Sequence, residues 1–245
     1  MTDDQVRLIE SRDNQTFKDW LKLHDSKGVK KQGKFLVSGR KLVPELLRTC
    51  PERFSALIRE VGHPLNTSEM PVYALTKSLF NELDLLGTGS PILLGSFPET
   101  QQWTQSVEGP KVGLALQDPG NLGAALRACV GFGIENVILF EEACHPFHMK
   151  ALKAGSGAQF ELKLWRAPSV GDHTQLKNII GLDMEGESLA GFRWPEDFTL
   201  VLGEEGQGLP DNINKRVKIP MSGKIESLNA TTSLAIALYE RARQR

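Results

Sequence analysis

The chain has 245 residues, 40% of them hydrophobic and 24% charged, and a formal net charge of −1; this is the balance of a globular protein with one large core or two modest ones. Its longest apolar runs, such as 137–140 and 234–238, are far too short to span a bilayer, and the polar start Met-Thr-Asp-Asp-Gln lacks a signal-peptide core, so a cytoplasmic location is expected. Three widely spaced cysteines, Cys50, Cys129 and Cys144, are unsuited to a disulfide framework.

Residues 5–24 carry apolar positions at Val6, Leu8, Ile9, Phe17, Trp20, Leu21 and Leu23, a helical rhythm broken by a turn at residues 11–14. Then Lys27, Lys30, Lys31, Lys34, Arg40 and Lys41 fall within fifteen residues that contain no acid. The halves on either side of residue 109 hold 14 basic and 14 acidic residues, then 15 and 16, so neither is basic as a whole. A phosphate-bearing partner would have to be met by the local cluster, which alone reads equally well as a solvated face.

Residues 34–37 read as a strand and 41–47 as a helix with Pro44 in its first turn, where a missing N–H costs nothing. Strands are expected at 54–61 and 72–75, a helix at 77–86, and a last strand at 92–94. This alternation predicts a small α/β domain over 1–105. The Gly- and Pro-rich, polar stretch 98–110 reads as a linker. Beyond it, strands are expected at 111–116, 136–140, 161–164, 179–183, 199–202 and 217–219. Helices are expected at 121–132, near 148–154 and from about Ser227 to Arg243. Short apolar strands alternating with helices predict a mostly parallel sheet covered on both faces, forming a second domain over 106–245.

Three loops of that second domain can carry chemistry. Gln117-Asp118-Pro119-Gly120-Asn121-Leu122-Gly123 leads from a strand into a helix, with Arg127 nearly two turns further in, where open α/β sheets commonly bind ligands. Leu202-Gly203-Glu204-Glu205-Gly206-Gln207-Gly208 places three glycines after a buried strand, and its carboxylates suit a cationic or hydroxyl-bearing ligand better than a phosphate. Ile219-Pro220-Met221-Ser222-Gly223 closes the last strand, and Ser227 reads as the N-cap of the final helix, with Leu228 and Asn229 in its first turn.

In order, these loops read Asn-Leu-Gly-Ala-x-x-Arg, Gly-x-Glu-Gly-x-Gly-Leu and Ile-Pro-Met-x-Gly-x-x-x-Ser-Leu-Asn. Together they resemble the SpoU-type (TrmH-like) RNA ribose 2′-O-methyltransferases of the SPOUT superfamily. The likeness covers about residues 111–245 and reaches into the N-terminal part through Ser11-Arg12-x-Asn14 and residues 33–39. Departures are Glu204, the run Ala230-Thr231-Thr232-Ser233, and Ser38 where the family often has Glu.

The resemblance implies a trefoil-knotted α/β methyltransferase domain behind a small α/β substrate-binding domain. It implies S-adenosyl-L-methionine as cofactor, no metal, structured RNA (ribosomal or transfer RNA) as partner and a homodimer; neither a membrane nor DNA is expected. Carried over residue by residue, Gly203, Ile219 and Leu228 would contact the cofactor, with Leu202 and Met221 as further walls. Arg127 would activate the ribose hydroxyl, positioned with Asn121, Glu205, Ser227 and Asn229. A guanidinium stays protonated in proteins, so stabilising a developing alkoxide suits it better than accepting a proton. Two other readings stay open: a non-catalytic RNA-binding protein on the same scaffold, and a metalloenzyme built on Cys144, His145 and His148, although metal sites usually recruit a further ligand.

Overall fold

The computed structural model describes residues 6–97, 100–103, 107–172, 176–203 and 208–244. In chain order its elements begin β1 (Val6–Ile9), α1 (Gln15–Leu21), α2 (Ser26–Gln32), β2 (Lys34–Ser38), α3 (Leu42–Thr49), β3 (Phe54–Glu60), β4 (Val72–Leu75), α4 (Lys77–Leu83) and β5 (Ile92–Ser96). They continue with β6 (Gln101–Gln102), β7 (Pro110–Leu114), α5 (Pro119–Gly131), β8 (Asn136–Leu139), α6 (Met149–Gly155) and β9 (Lys163–Arg166). The last are β10 (Ile179–Ser188), β11 (Phe198–Leu202), β12 (Arg216–Lys218) and α7 (Ala230–Ala242). The chain divides into two compact units, residues 1–99 with 145–157, and residues 100–144 with 158–245.

The first unit has a five-stranded mixed sheet in the order β1-β4-β3-β5-β2. β4 runs parallel to both β1 and β3, whereas β5 is antiparallel to β3 and β2. Residues 145–157 join this unit through specific contacts. His148 Nε2 meets the His24 carbonyl at 3.0 Å, the His145 N–H donates to Ser26 Oγ at 3.2 Å, and Phe147 stacks on Phe97 with centroids 5.3 Å apart.

Two expectations for this unit fail. The helical rhythm over 5–24 does not begin at Val6, because residues 6–9 form edge strand β1 with Val6 opposite Val72 and Ile9 opposite Leu75. Pairing with a neighbouring strand satisfies backbone groups that a lone turn of helix would leave open, so tertiary context overrides local rhythm. The basic stretch also contains a helix the pattern did not reveal, α2, capped by Asp25 accepting from the Gly28 N–H.

The second unit has a seven-stranded sheet in the order β12-β10-β11-β7-β8-β9-β6, and every recorded pair in it is parallel. Successive strand residues serve opposite faces. Val112, Leu114, Val137, Leu139, Leu200 and Leu202 pack on one side with α5 and α7, whereas Ile138, Phe140 and Val201 pack on the other with Trp103, Leu209 and Ile213. Covering both faces explains why these strands are continuously apolar. Each fully buried large aliphatic or aromatic side chain contributes about 1.5–3 kcal/mol relative to exposure. Within the stretch read as a linker, β6 pairs with β9, and buried Trp103 meets the Trp165 ring edge-on at 5.8 Å.

Both functional helices start elsewhere than the spacing predicts. α5 begins at Pro119, two residues before Asn121, because the Asp118 carboxylate accepts the Asn121 N–H at 2.7 Å and Pro occupies a first-turn position that needs no donor. α7 begins at Ala230, not near Ser227. Asn229 is its cap, accepting from the Thr231 and Thr232 N–H groups at 3.0 and 3.3 Å, and Ser227 lies in the exposed loop before it.

Candidate active site

The strands β10, β11 and β12 are neighbours and parallel, so the segments following them emerge at one edge of the sheet. There they enclose a cavity of about 410 Å³ in the second unit. All five residues expected to hold the cofactor line it: Leu202, Gly203, Ile219, Met221 and Leu228. Ser227 lines it as well, from the loop before α7.

Sequence reasoning missed the wall supplied by Leu182, Asp183 and Met184 of β10, together with Leu209 and Glu226. The signal for Glu226 was available, since it directly precedes Ser227. That for Asp183 was not, because nothing in the sequence tells that β10 inserts between β11 and β12. Asp183 and Arg216 form an ion pair at 2.6 Å, with side chains 17% and 18% exposed. Arg216 also donates to the carbonyls of Ile213 and Pro210, each at 2.9 Å, so it ties the limb after Gly208 to β10.

The need for glycine at 203 has a cause inside the chain. A Cβ there would lie 2.3 Å from the Gly208 carbonyl oxygen and 3.1 Å from Leu209 Cδ2. The close approach is therefore first to the returning limb of the same loop. Glu204, Glu205, Gly206 and Gln207 lie outside the described residues, so the expected role of Glu205 has no structural description.

Two further site residues meet beside the cavity. Asn229 Nδ2 donates to Asn121 Oδ1 at 2.9 Å, and the Thr231 hydroxyl donates to the Asn121 carbonyl at 3.0 Å. Asn229 lies between two lining residues, Leu228 and Ala230, so the contact borders the cavity wall. Arg127 is different. It lies on α5, exposed, and is not among the residues lining the cavity. Six residues separate it from Asn121, about 9 Å along the helix axis and on another face.

The six expected RNA-contacting cations all belong to the first unit and are exposed. Lys27, Lys30 and Lys31 stand on α2, Lys34 opens β2, and Arg40 and Lys41 precede α3. Lys27 and Lys31 stand four apart on α2, which places them on one face of that helix.

The three residues of the metal reading are engaged otherwise. His148 Nδ1 accepts the Lys150 N–H at 3.2 Å while its Nε2 faces the His24 carbonyl, and His145 Nδ1 accepts the Phe147 N–H at 3.2 Å. Burial, with Asp118 nearby, pushes the Cys144 thiol up to about 12, which disfavours the thiolate that binds metals. No group of three or more His, Cys, Asp or Glu among the described residues could hold a metal ion. No helix among them is long and apolar enough to cross a membrane.

Comparison with known proteins places these features in context. A model of the SpoU rRNA Methylase family matches residues 112–239. The chain is 30% identical to the 23S rRNA (guanosine(2553)-2′-O)-methyltransferase RlmP of Bacillus subtilis, over 96% of this chain and 98% of that one. It is 40% identical to ribosomal RNA small subunit methyltransferase G 2 of Syntrophobacter fumaroxidans over 95% of its own length, but it spans only 48% of that relative. In fold it is similar to the SpoU methyltransferase AviRb of Streptomyces viridochromogenes in complex with AdoMet, with a TM-score of 0.80 and 23% identity over 95% of this chain and 98% of that one.

Proposed function

Since the chain belongs to the SpoU rRNA methylase family, matched over residues 112–239, we propose that it transfers a methyl group from S-adenosylmethionine to a ribose 2′-hydroxyl of ribosomal or transfer RNA. One observation carries this reading: the segments after β11 and β12, far apart in sequence, converge with β10 on one cavity, and Asn229, which sits between the lining residues Leu228 and Ala230, bonds Asn121. The name of the Bacillus subtilis relative supports the ribose 2′-hydroxyl as acceptor.

The cavity suits the cofactor. Its volume of about 410 Å³ falls within the range of about 300–1,000 Å³ usual for small-ligand sites. Leu182, Leu202, Ile219 and Leu228 offer apolar walls to an adenosyl group, and Glu226 brings a carboxylate toward a cationic ligand. When bound, S-adenosylmethionine supplies an electrophilic methyl on a positively charged sulfur. Gly203 keeps the loop limbs close enough to form the wall. Asn121 and Asn229 fix the position of the two helix starts beside the reacting end. Arg127 would donate hydrogen bonds to the ribose oxygen and stabilise the negative charge that develops there as the hydroxyl proton passes to solvent water.

Because Arg127 does not line the cavity of its own chain, we assign the working form to a homodimer in which Arg127 serves the partner's cavity. The trefoil threading of the family belongs to the same reading, supported by a sheet in which β10, β11 and β12 pair out of sequence order. We assign RNA contact to the exposed cations of the first unit and methyl transfer to the second, with cytoplasmic RNA as the substrate.

The test is incubation with labelled S-adenosylmethionine and bulk ribosomal or transfer RNA, followed by mapping of ribose methylation. Label in a 2′-O-methyl nucleoside is expected. Label confined to bases would overturn the ribose hydroxyl as acceptor, and no label at all would overturn the proposal and favour the non-catalytic scaffold.

A further inference from the structure

We infer that the first unit contains a second ligand site, a pocket that receives one unpaired base of the RNA substrate. The inference rests on the RNA reading above and adds how single-stranded positions would be distinguished from duplex.

The pocket, of about 400 Å³, lies between the start of α3 and the segments around 63–65 and 90. Val43, Pro44 and Leu65 give it apolar walls, while Arg40, His63 and Ser90 supply polar groups. Its walls are braced. Ser38 Oγ bonds Thr88 Oγ1 at 2.8 Å, the Gly89 N–H donates to Asp84 Oδ2 at 2.7 Å, and the Ser90 N–H donates to Thr88 Oγ1 at 3.1 Å. The Leu65 N–H donates to His63 Nδ1 at 3.1 Å, which fixes the imidazole relative to its turn. Val43 is fully buried. The turns that carry Ser90, His63 and Leu65 are thus braced by hydrogen bonds on two sides of the cavity.

Charge and polarity select the occupant. Arg40 belongs to the exposed basic group of Lys27, Lys30, Lys31, Lys34 and Lys41, and no acid is among the lining residues. Phosphates are met by such exposed cations and do not need an apolar hollow. A base does: it has an apolar face that stacks on imidazole or guanidinium planes and polar edges that a serine hydroxyl can read. Bases inside an A-form duplex cannot enter, so the pocket would select loops, bulges or ends.

The test uses full-length protein, an RNA hairpin carrying 2-aminopurine at successive loop positions, and a blunt duplex of the same stem. Wild-type protein should bind the hairpin at least about tenfold more tightly than the duplex, and one loop position should change fluorescence on binding. His63→Ala should lose that preference and that signal while keeping duplex affinity within a few-fold, and Arg40→Ala should lose both and weaken duplex binding as well. Thermal melting and S-adenosylmethionine titration would show that both units remain folded. Lys30→Ala should instead weaken both RNAs alike and reduce the salt dependence. Equal binding of hairpin and duplex by wild-type protein, or variants that retain the preference, would overturn the pocket while leaving methyl transfer untouched. Absence of all RNA binding together with absence of methyl transfer would instead overturn the functional reading beneath it.

Discussion

Asn229 Nδ2 donates to Asn121 Oδ1 across 2.9 Å, joining the first turn of α5 to the cap of α7 although 108 residues separate them. The same Asn229 uses its Oδ1 to accept the Thr231 and Thr232 N–H groups. One side chain thus both starts a helix and fixes it against another. Asn229→Ala should cost about 1 kcal/mol for the cap alone, read from urea denaturation. Asn121→Ala leaves that cap intact, so its cost should be smaller. A double-mutant cycle should give a coupling of about 0.5–3 kcal/mol, and additive losses would mean that the bond contributes nothing in solution.

Gly203→Ala tests the glycine-rich loop. The added methyl would stand 2.3 Å from the Gly208 carbonyl oxygen, a backbone atom that cannot rotate aside. The limb at 208–209 must move, and with it the wall that Gly208 and Leu209 give the cavity. Affinity for S-adenosylmethionine, measured by calorimetry, should fall at least about tenfold, in line with the 1–3 kcal/mol typical of overpacking. RNA binding through the first unit should be unchanged. A variant that binds the cofactor normally would show that the loop relaxes without consequence.

The two kinds of site residue differ in how far the sequence announced them. Leu202, Gly203, Ile219, Met221 and Leu228 sit in motif loops after apolar strands, and parallel strands bring such loops to one edge, so their convergence was legible. Asp183 was not, because strand order is decided by packing across the sheet and β10 lies between β11 and β12. Ser227 and Asn229 are both good caps, and spacing alone could not choose between them. The choice falls to Asn229, whose amide can cap with its oxygen and still donate from its nitrogen to Asn121. In the first unit the lysine-rich stretch hid α2, since Gly28 and the cations mask the single buried position, Val29. Val6–Ile9 misled in the opposite direction: its rhythm was real, but a partner strand was the stronger determinant.

His148 should give the protein an acid limb of instability. Burial holds its pKa below the usual histidine value, a shift only partly opposed by the bond to the His24 carbonyl. The neutral ring accepts the Lys150 N–H at Nδ1 and faces that carbonyl with Nε2, so protonation forfeits the acceptor. Above pH of about 6.5 the ring is neutral in both folded and unfolded chains, and its contribution is fully present. Below that value the unfolded chain takes up a proton that the native ring refuses. Stability is therefore lost as pH falls, until the native group's own lowered pKa is passed. His148→Asn, which keeps a capping acceptor, should lose less stability than wild type between pH 7.5 and 5.5 in urea titrations. Identical losses would show that other groups set the limb.

Arg127 offers the sharpest test of the proposed dimer. It is exposed on α5 and stands outside the cavity lined by Gly203 and Leu228. Arg127→Ala should bind S-adenosylmethionine as wild type does, while methyl transfer falls about 10²–10³-fold, the loss typical when a donor to developing negative charge is removed. Gly203→Ala should fail by the other route, through the cofactor. If each site takes its arginine from one protomer and its cavity from the other, mixing the two variants at a cofactor concentration too low for Gly203→Ala to bind restores function. Random reassociation makes half of the dimers mixed, and each mixed dimer holds one wholly intact site and one doubly defective site, so about a quarter of wild-type activity should return. If arginine and cavity served the same site within one chain, every site in every dimer would carry one defect and no activity would return. Wild-type turnover by Arg127→Ala alone would remove the residue from the reaction altogether.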